Sequence, residues 1–118
     1  MDKKHMINLS YLKSISDGNN AFILELIDMF IDQVPEYQEM LQDLMNKKDW
    51  NNLARTAHKA KSAILMVGMD ELAADLKKLE ENAKVEKKIN EYQEIITKFV
   101  SHSNIAIREL KMIRSEII

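Results

Sequence analysis

Apolar residues recur at intervals of three and four along almost the whole chain, and very little interrupts them. The 118 residues include only two glycines and one proline, so the sequence has little material for hairpin turns. Intervals of three and four place side chains on one face of an α-helix. The sequence therefore predicts an all-α fold, and its length is enough for about one hydrophobic core, which makes residues 1–118 a single domain.

Four long amphipathic segments with short connections predict an antiparallel four-helix bundle, preceded by a short additional N-terminal helix within residues 7–16. The first long segment runs from Ala21 to about Met45. Pro35 inside it predicts a kink or a change of axis, because proline removes a backbone donor and crowds the preceding turn. The last segment starts near Ile89, and we expect it to loosen at residues 101–104, where Ser103 enters the apolar stripe.

The two central segments predict a helical hairpin that turns at Gly68, a residue suited to the left-handed position after a helix end. Asp49 and Asp70 are suited to cap the first and second helix of this hairpin. The apolar faces of the two helices consist of Leu53, Ala57, Ala60, Ile64 and Val67, and of Leu72, Leu76, Leu79 and Ala83.

His58 lies outside the apolar face of its helix. At about 100° per residue its side chain points roughly 130° away from the middle of that face, with Ala54 one turn before it and Ser62 one turn after it. Lys61 lies on the neighbouring row, near enough for its ammonium group to share an anion with the imidazole. An exposed imidazole with small neighbours and an adjacent cation suits the transfer of a phosphoryl group between proteins.

Other chemistries lack the residues that they require. The absence of cysteine excludes disulfides, thiol chemistry and cysteine zinc sites. The Glu-x-x-His pairs of di-iron bundles are missing, because Arg55 and Phe99 stand three residues before His58 and His102. No glycine-rich nucleotide loop occurs, so we expect neither kinase nor ATPase activity, and neither cofactor nor metal in this chain. His5 and His102, without comparable neighbours, are interpreted as surface residues without a role.

The charge and hydropathy of the sequence argue against binding to nucleic acid and against insertion into a membrane. The net charge is −2, with lysine and glutamate interspersed, which argues against nucleic acid as a partner. No apolar run approaches the roughly 18 to 20 residues of a membrane span, and the N-terminus lacks the apolar core of a signal peptide. We therefore expect a cytoplasmic protein without membrane insertion. We also expect it to be a monomer.

One ordered set of residues covers most of the chain: the run Ala57-His58-Lys59-Ala60-Lys61-Ser62, then Gly68, Leu72, Leu76, Leu79 and Glu80, and upstream Asn8 to Leu12, Phe30 to Glu36 and Asp49-Trp50. In this pattern the sequence resembles the histidine-containing phosphotransfer (HPt) domains of multistep two-component signalling. Many members of that family carry glycine directly after the lysine, where this chain has Ser62.

The resemblance implies a phosphorelay intermediate. His58 would accept a phosphoryl group from an aspartyl phosphate of one receiver domain and pass it to another, while Lys61 offsets charge on the phosphoryl oxygens. The implied partners are response-regulator receiver domains and a hybrid sensor histidine kinase, and Mg²⁺ is expected in the receiver. Ser62, Ala54 and Leu65 are expected to line the phosphate and partner approach.

The second helix of the hairpin supplies two further candidates. Glu80 is as far from the turn as His58 when Met69 is taken as the midpoint, so the two residues should lie level. In the family a polar residue at this position commonly bonds the ring nitrogen that does not carry phosphate. We therefore expect Glu80 to fix the tautomer of His58, and Lys84 to add a second, weaker positive charge.

An alternative interpretation is a helical adaptor that docks signalling partners through the same face without being phosphorylated. A sensor-kinase dimerisation domain is disfavoured, because Lys59 stands where that family typically places an acidic residue. The carrier and the adaptor differ in whether a phosphorylated receiver domain leaves an acid-labile, base-stable phosphate on this chain.

Overall fold

The structure, a computed structural model, describes residues 6–117 and contains no strand in that range. The helices are α1 (Ser10–Ser16), α2 (Asn20–Lys47), α3 (Trp50–Met66), α4 (Asp70–Lys84) and α5 (Tyr92–Ile117), with a 3₁₀ turn at Ile89–Glu91 before α5. The predicted all-α fold is confirmed.

Helices α2 to α5 form the four-helix bundle, and the short α1 lies against α2. Helix α3 packs against α2 and α4, and α5 packs against the same two helices, so the four surround one core. Their short connections make successive helices antiparallel. Each of these four helices contributes large side chains that are almost fully buried: Ile27, Val34, Leu41, Leu53, Ile64, Leu76, Leu79, Tyr92, Ile96, Phe99 and Leu110. Leu12 of α1 is buried to the same degree.

Helix α2 continues through Pro35 as one helical element, so the change predicted near residues 33–36 does not interrupt it. Proline costs a helix interior about 3 kcal/mol. Phe30, Val34 and Leu41 are buried on the opposite face, on both sides of the exposed proline. Each buried side chain of this size contributes about 1.5–3 kcal/mol, which together offsets the cost of the proline.

The start of α3 agrees with the sequence prediction, and the start of α4 does not. The Asp49 carboxylate accepts a hydrogen bond from the Asn52 backbone N–H at 3.3 Å, so Asp49 caps α3. The predicted Asp70 cap is wrong, because Met69 occupies the cap position of α4 and Asp70 is its first residue. At that place the negative charge of Asp70 interacts favourably with the helix dipole.

Gly68 lies between α3 and α4 with φ +73°, a left-handed conformation that suits glycine. A Cβ atom at this position would clash with the backbone carbonyl of Asn8. The Asn8 N–H in turn donates to the Val67 carbonyl at 2.7 Å. The glycine therefore allows the N-terminal segment to pack directly on the α3–α4 turn.

Helix α5 is continuous through residues 101–104, where we had expected it to loosen. Ser103 is fully buried, its hydroxyl donates to the Phe99 carbonyl, and its oxygen accepts from Nε2 of Gln38 at 2.8 Å. These bonds satisfy the hydroxyl inside the apolar stripe. Within residues 6–117, none of the helices combines the length and the hydropathy needed to cross a membrane.

Candidate functional site around His58

His58 projects from the outer face of α3, and 58% of its side chain is exposed. The opposite face is occupied by fully buried core residues, among them Leu53, Ala57 and Ile64. The sequence pattern predicted this outward orientation, since the apolar stripe of α3 excludes the histidine. The imidazole is therefore accessible to another protein.

Glu80 reaches the imidazole from the facing helix α4. Both of its carboxylate oxygens lie 3.1 Å from Nδ1 of His58. A carboxylate can only accept, so the hydrogen bond requires the proton on Nδ1. In this tautomer Nε2 keeps a free lone pair, so Nε2 is the nucleophilic atom of the neutral imidazole.

Two lysines bind the same carboxylate. Nζ of Lys61 lies 3.4 Å from Oε1 of Glu80, and Nζ of Lys84 lies 3.1 Å from Oε2. Lys61 is mostly covered, with 19% of its side chain exposed, whereas Lys84 is 60% exposed. The four residues that the sequence singled out on the two helices thus form one cluster, which we call the Glu80 cluster: His58, Lys61, Glu80 and Lys84.

The surroundings of Glu80 favour its ionised form. Burial disfavours the carboxylate and by itself would raise the pKa, because the residue is only 8% exposed. Hydrogen bonds from Lys84 and His58, together with the nearby charges of His58 and Lys61, outweigh this effect and hold the pKa of Glu80 below its usual range. Glu80 is therefore a permanent negative charge at neutral pH.

The other predicted site residues differ in exposure. Ser62 is exposed one turn after His58, and Leu65 is 45% exposed on the same helix. Ala54, which we expected beside the imidazole at the surface, is only 2% exposed. At 100° per residue Ala54 is rotated about 40° from His58 toward the row of Lys61, which is the side that α4 covers. The expectation that Ala54 is exposed beside the imidazole is therefore wrong, and its contribution to the partner approach stays a prediction.

A groove of about 260 Å³ that was not predicted from the sequence runs beside His58 between α2 and α3. Helix α2 lines it with Met29, Gln33 and Tyr37, and α3 lines it with His58, Lys59, Ser62 and Met66. Met29 and Met40 of α2 are 49% and 44% exposed. The interval of four from Met29 to Gln33 to Tyr37 places these side chains in one row beside the buried stripe of α2. This row is the sequence signal from which the groove could have been predicted.

His102 does not belong to this site. His102 is partly buried on α5 and lines a separate pocket with Asp70 and Glu71, and His5 lies outside the described residues. Between residues 6 and 117 there is no group of three or more histidine, aspartate and glutamate side chains placed to hold a metal ion. The Glu80 cluster is thus the feature of the described structure that best suits phosphoryl chemistry.

The family model of the Hpt domain matches residues 25–111. The chain therefore belongs to the Hpt domain family, and it is an intermediate of histidine phosphotransfer in a phosphorelay. Hpt domains of this family carry phosphoryl groups and interact with receiver domains.

Among solved structures, the fold is similar to that of histidine-containing phosphotransfer protein B from Pseudomonas aeruginosa PAO1. The TM-score is 0.84, the similarity covers 98% of each chain, and the sequences are 23% identical. The comparison with curated proteins found no match.

Proposed function

We propose that His58 carries the phosphoryl group, accepting it from one receiver domain and donating it to another. The observation that supports this assignment is the hydrogen bond from Nδ1 of His58 to Glu80 at 3.1 Å, on an imidazole that is otherwise exposed. That bond orients the ring and leaves Nε2 available for attack.

In the forward direction, the lone pair of Nε2 attacks the phosphorus of an aspartyl phosphate. The P–N bond forms as the P–O bond breaks, and the aspartate leaves as a carboxylate. Nδ1 keeps its proton, so the ring becomes a cation that still donates to Glu80. Lys61 and Lys84 then offset the charge of the phosphoryl oxygens. The receiver supplies its acidic pocket and Mg²⁺, and this chain supplies no cofactor.

The partners in this proposal are response-regulator receiver domains and a hybrid sensor histidine kinase, in the cytoplasm. The groove between α2 and α3 supports docking beside His58, because Met29 and Met66 offer an apolar lining next to the reactive ring. Leu65 extends this exposed apolar surface along α3. The chain acts as a monomeric carrier without kinase or ATPase activity of its own.

The test is phosphorylation by a receiver domain. The protein, incubated with a phosphorylated receiver and Mg²⁺, should acquire a phosphate that is labile in acid and stable in base. His58→Gln should abolish this uptake, whereas His5→Gln and His102→Gln should leave it intact. Labelling of the His58 variant would show that another residue is the nucleophile. Binding of the receiver without any phosphate uptake would favour the adaptor interpretation.

A further inference from the structure

Ser62 is an exposed hydroxyl group one helical turn after the proposed nucleophile. Its Oγ donates to the backbone carbonyl of His58 at 3.3 Å. This distance is longer than the 2.7–2.8 Å typical of O–H···O bonds, so the bond is weak. The same carbonyl is also the acceptor for the backbone N–H of residue 62 in a regular helix. The hydroxyl can therefore leave this carbonyl at little cost.

The geometry of the helix directs Ser62 toward His58. Cα–Cβ bonds on a helix tilt toward its N-terminus, so a side chain covers the surface of the preceding turn. Side chains four residues apart have their Cβ atoms about 5–6 Å apart. Ser62 also lines both the groove toward α2, which includes His58, and the pocket toward α1, which includes Tyr11 and Leu65. It therefore lies between these two recesses, one of which also includes His58.

Two other hydroxyl groups that bond a helix carbonyl lack this freedom. Thr56 donates to Asn52 and Ser103 donates to Phe99, but both hydroxyl residues are buried. Rotating either hydroxyl away would leave it unpaired, whereas the Ser62 hydroxyl faces solvent.

We propose that the Ser62 hydroxyl binds an oxygen of the phosphoryl group once it is on Nε2 of His58. A rotation about one bond moves the hydroxyl from a neutral carbonyl to a charged oxygen, and charge-assisted hydrogen bonds are about twice as strong as neutral ones. Ser62 thereby stabilises the phosphorylated form relative to the free one. This inference rests on His58 being the phosphorylated residue, and it adds a phosphoryl ligand on α3 to the two lysines of the Glu80 cluster.

A binding role and a purely steric role for Ser62 have different consequences. A side chain that only obstructs the approaching receiver changes the forward and reverse rate constants by the same factor, so the equilibrium constant of transfer stays unchanged. A hydroxyl that binds the phosphoryl group changes the equilibrium constant, because it favours the phosphorylated protein alone. The equilibrium between a receiver and this protein therefore separates the two roles.

The experiment measures that equilibrium constant with purified proteins, from the amounts of phosphorylated receiver and phosphorylated HPt protein after transfer is complete. Ser62→Ala and Ser62→Gly should each shift the transfer equilibrium about three- to tenfold toward the phosphorylated receiver. This range corresponds to the net contribution of one hydrogen bond. Ser62→Thr keeps the hydroxyl and should stay within about twofold of the parent. Ser115→Ala is the matched control, because Ser115 makes the same kind of backbone bond on α5, at 2.7 Å to Met112.

An unchanged equilibrium constant in Ser62→Ala and Ser62→Gly, with or without altered rates, would overturn the proposal. An equal loss in Ser62→Thr would also overturn it, because the hydroxyl is retained there. If the parent protein takes up no phosphate, the proposed function itself fails. Uptake by the parent that does not depend on the Ser62 hydroxyl removes only the inference about Ser62.

Discussion

Replacing Glu80 with alanine removes the only described hydrogen bond to the His58 ring, and we expect this to slow phosphoryl transfer by about tenfold. A hydrogen bond to a charged group is worth about 1.5–3 kcal/mol. The low end applies here, since 58% of the His58 side chain is exposed. The proton is also shared between two oxygens at 3.1 Å, longer than the 2.7–2.9 Å of strong charge-assisted bonds. A loss of about 1.4 kcal/mol corresponds to tenfold in rate.

The charge of Glu80 by itself contributes less than its hydrogen bond. At 3.1 Å in water, the attraction between the carboxylate and a fully charged ring would be about 1.3 kcal/mol. The phosphoryl group on the far nitrogen carries about two negative charges at about twice that distance, so its repulsion from Glu80 is of similar size. These two effects nearly cancel. Glu80→Gln, which keeps an acceptor oxygen for Nδ1 and loses the charge, should therefore stay within about threefold of the parent.

The assay is single-turnover transfer from a phosphorylated receiver domain, followed by rapid quenching. Glu81→Gln is the matched control, because Glu81 is the adjacent, exposed glutamate of α4. Circular dichroism should show that the helices are retained. A rate constant for Glu80→Ala within twofold of the parent would refute the orienting role. A tenfold loss in Glu80→Gln would show that the charge, rather than the hydrogen bond, is what matters.

Two further predictions concern stability. The pKa of Glu80 is lowered from an ordinary 4.5, so its carboxylate stabilises the folded state above that pH and loses the effect as the pH falls through the lower folded value. The difference in Tm between the parent and Glu80→Gln should shrink as the pH falls from 6 to 3. A difference that stays constant would contradict the lowered pKa of Glu80. Gly68→Ala should lower Tm by at least about 4 °C, since the left-handed conformation costs about 1–2 kcal/mol before the contact with Asn8 is counted. Gly18→Ala, with φ +77° and open space around its Cβ position, is the control and should cost less.

Sequence periodicity predicts the parts of the site that depend on a single helix or on one tight turn. The apolar stripe of α3 fixes the outward direction of His58. Counting from Met69 places Glu80 level with His58, because an antiparallel hairpin with a short turn leaves little freedom in register. The observed contact at 3.1 Å agrees with that count. The functional roles of these residues stay predictions.

Features that depend on how neighbouring helices pack were less accessible from the sequence. Ala54 is buried because α4 covers its flank of α3, and a flank residue cannot be assigned to core or surface from periodicity alone. Met29 is exposed because the groove between α2 and α3 stays open at that level. The contacts of Lys61 and Lys84 with Glu80 depend on flexible side chains whose direction periodicity does not encode.

The charges of the Glu80 cluster predict that Glu80→Ala changes the equilibrium of phosphoryl transfer as well as its rate. Lys61 and Lys84 bring two positive charges and Glu80 one negative, so the cluster carries +1 when His58 is neutral. Phosphorylation adds about −1, since the ring gains one positive charge and the phosphoryl group brings about two negative ones, and the sum becomes about zero. Without Glu80 the two lysines would be free for the phosphoryl oxygens and would hold them more firmly. Glu80→Ala should therefore slow donation to a second receiver more than it slows uptake, and it should shift the equilibrium toward the phosphorylated protein. Equal slowing in both directions would mean that the lysines do not exchange Glu80 for the phosphoryl group.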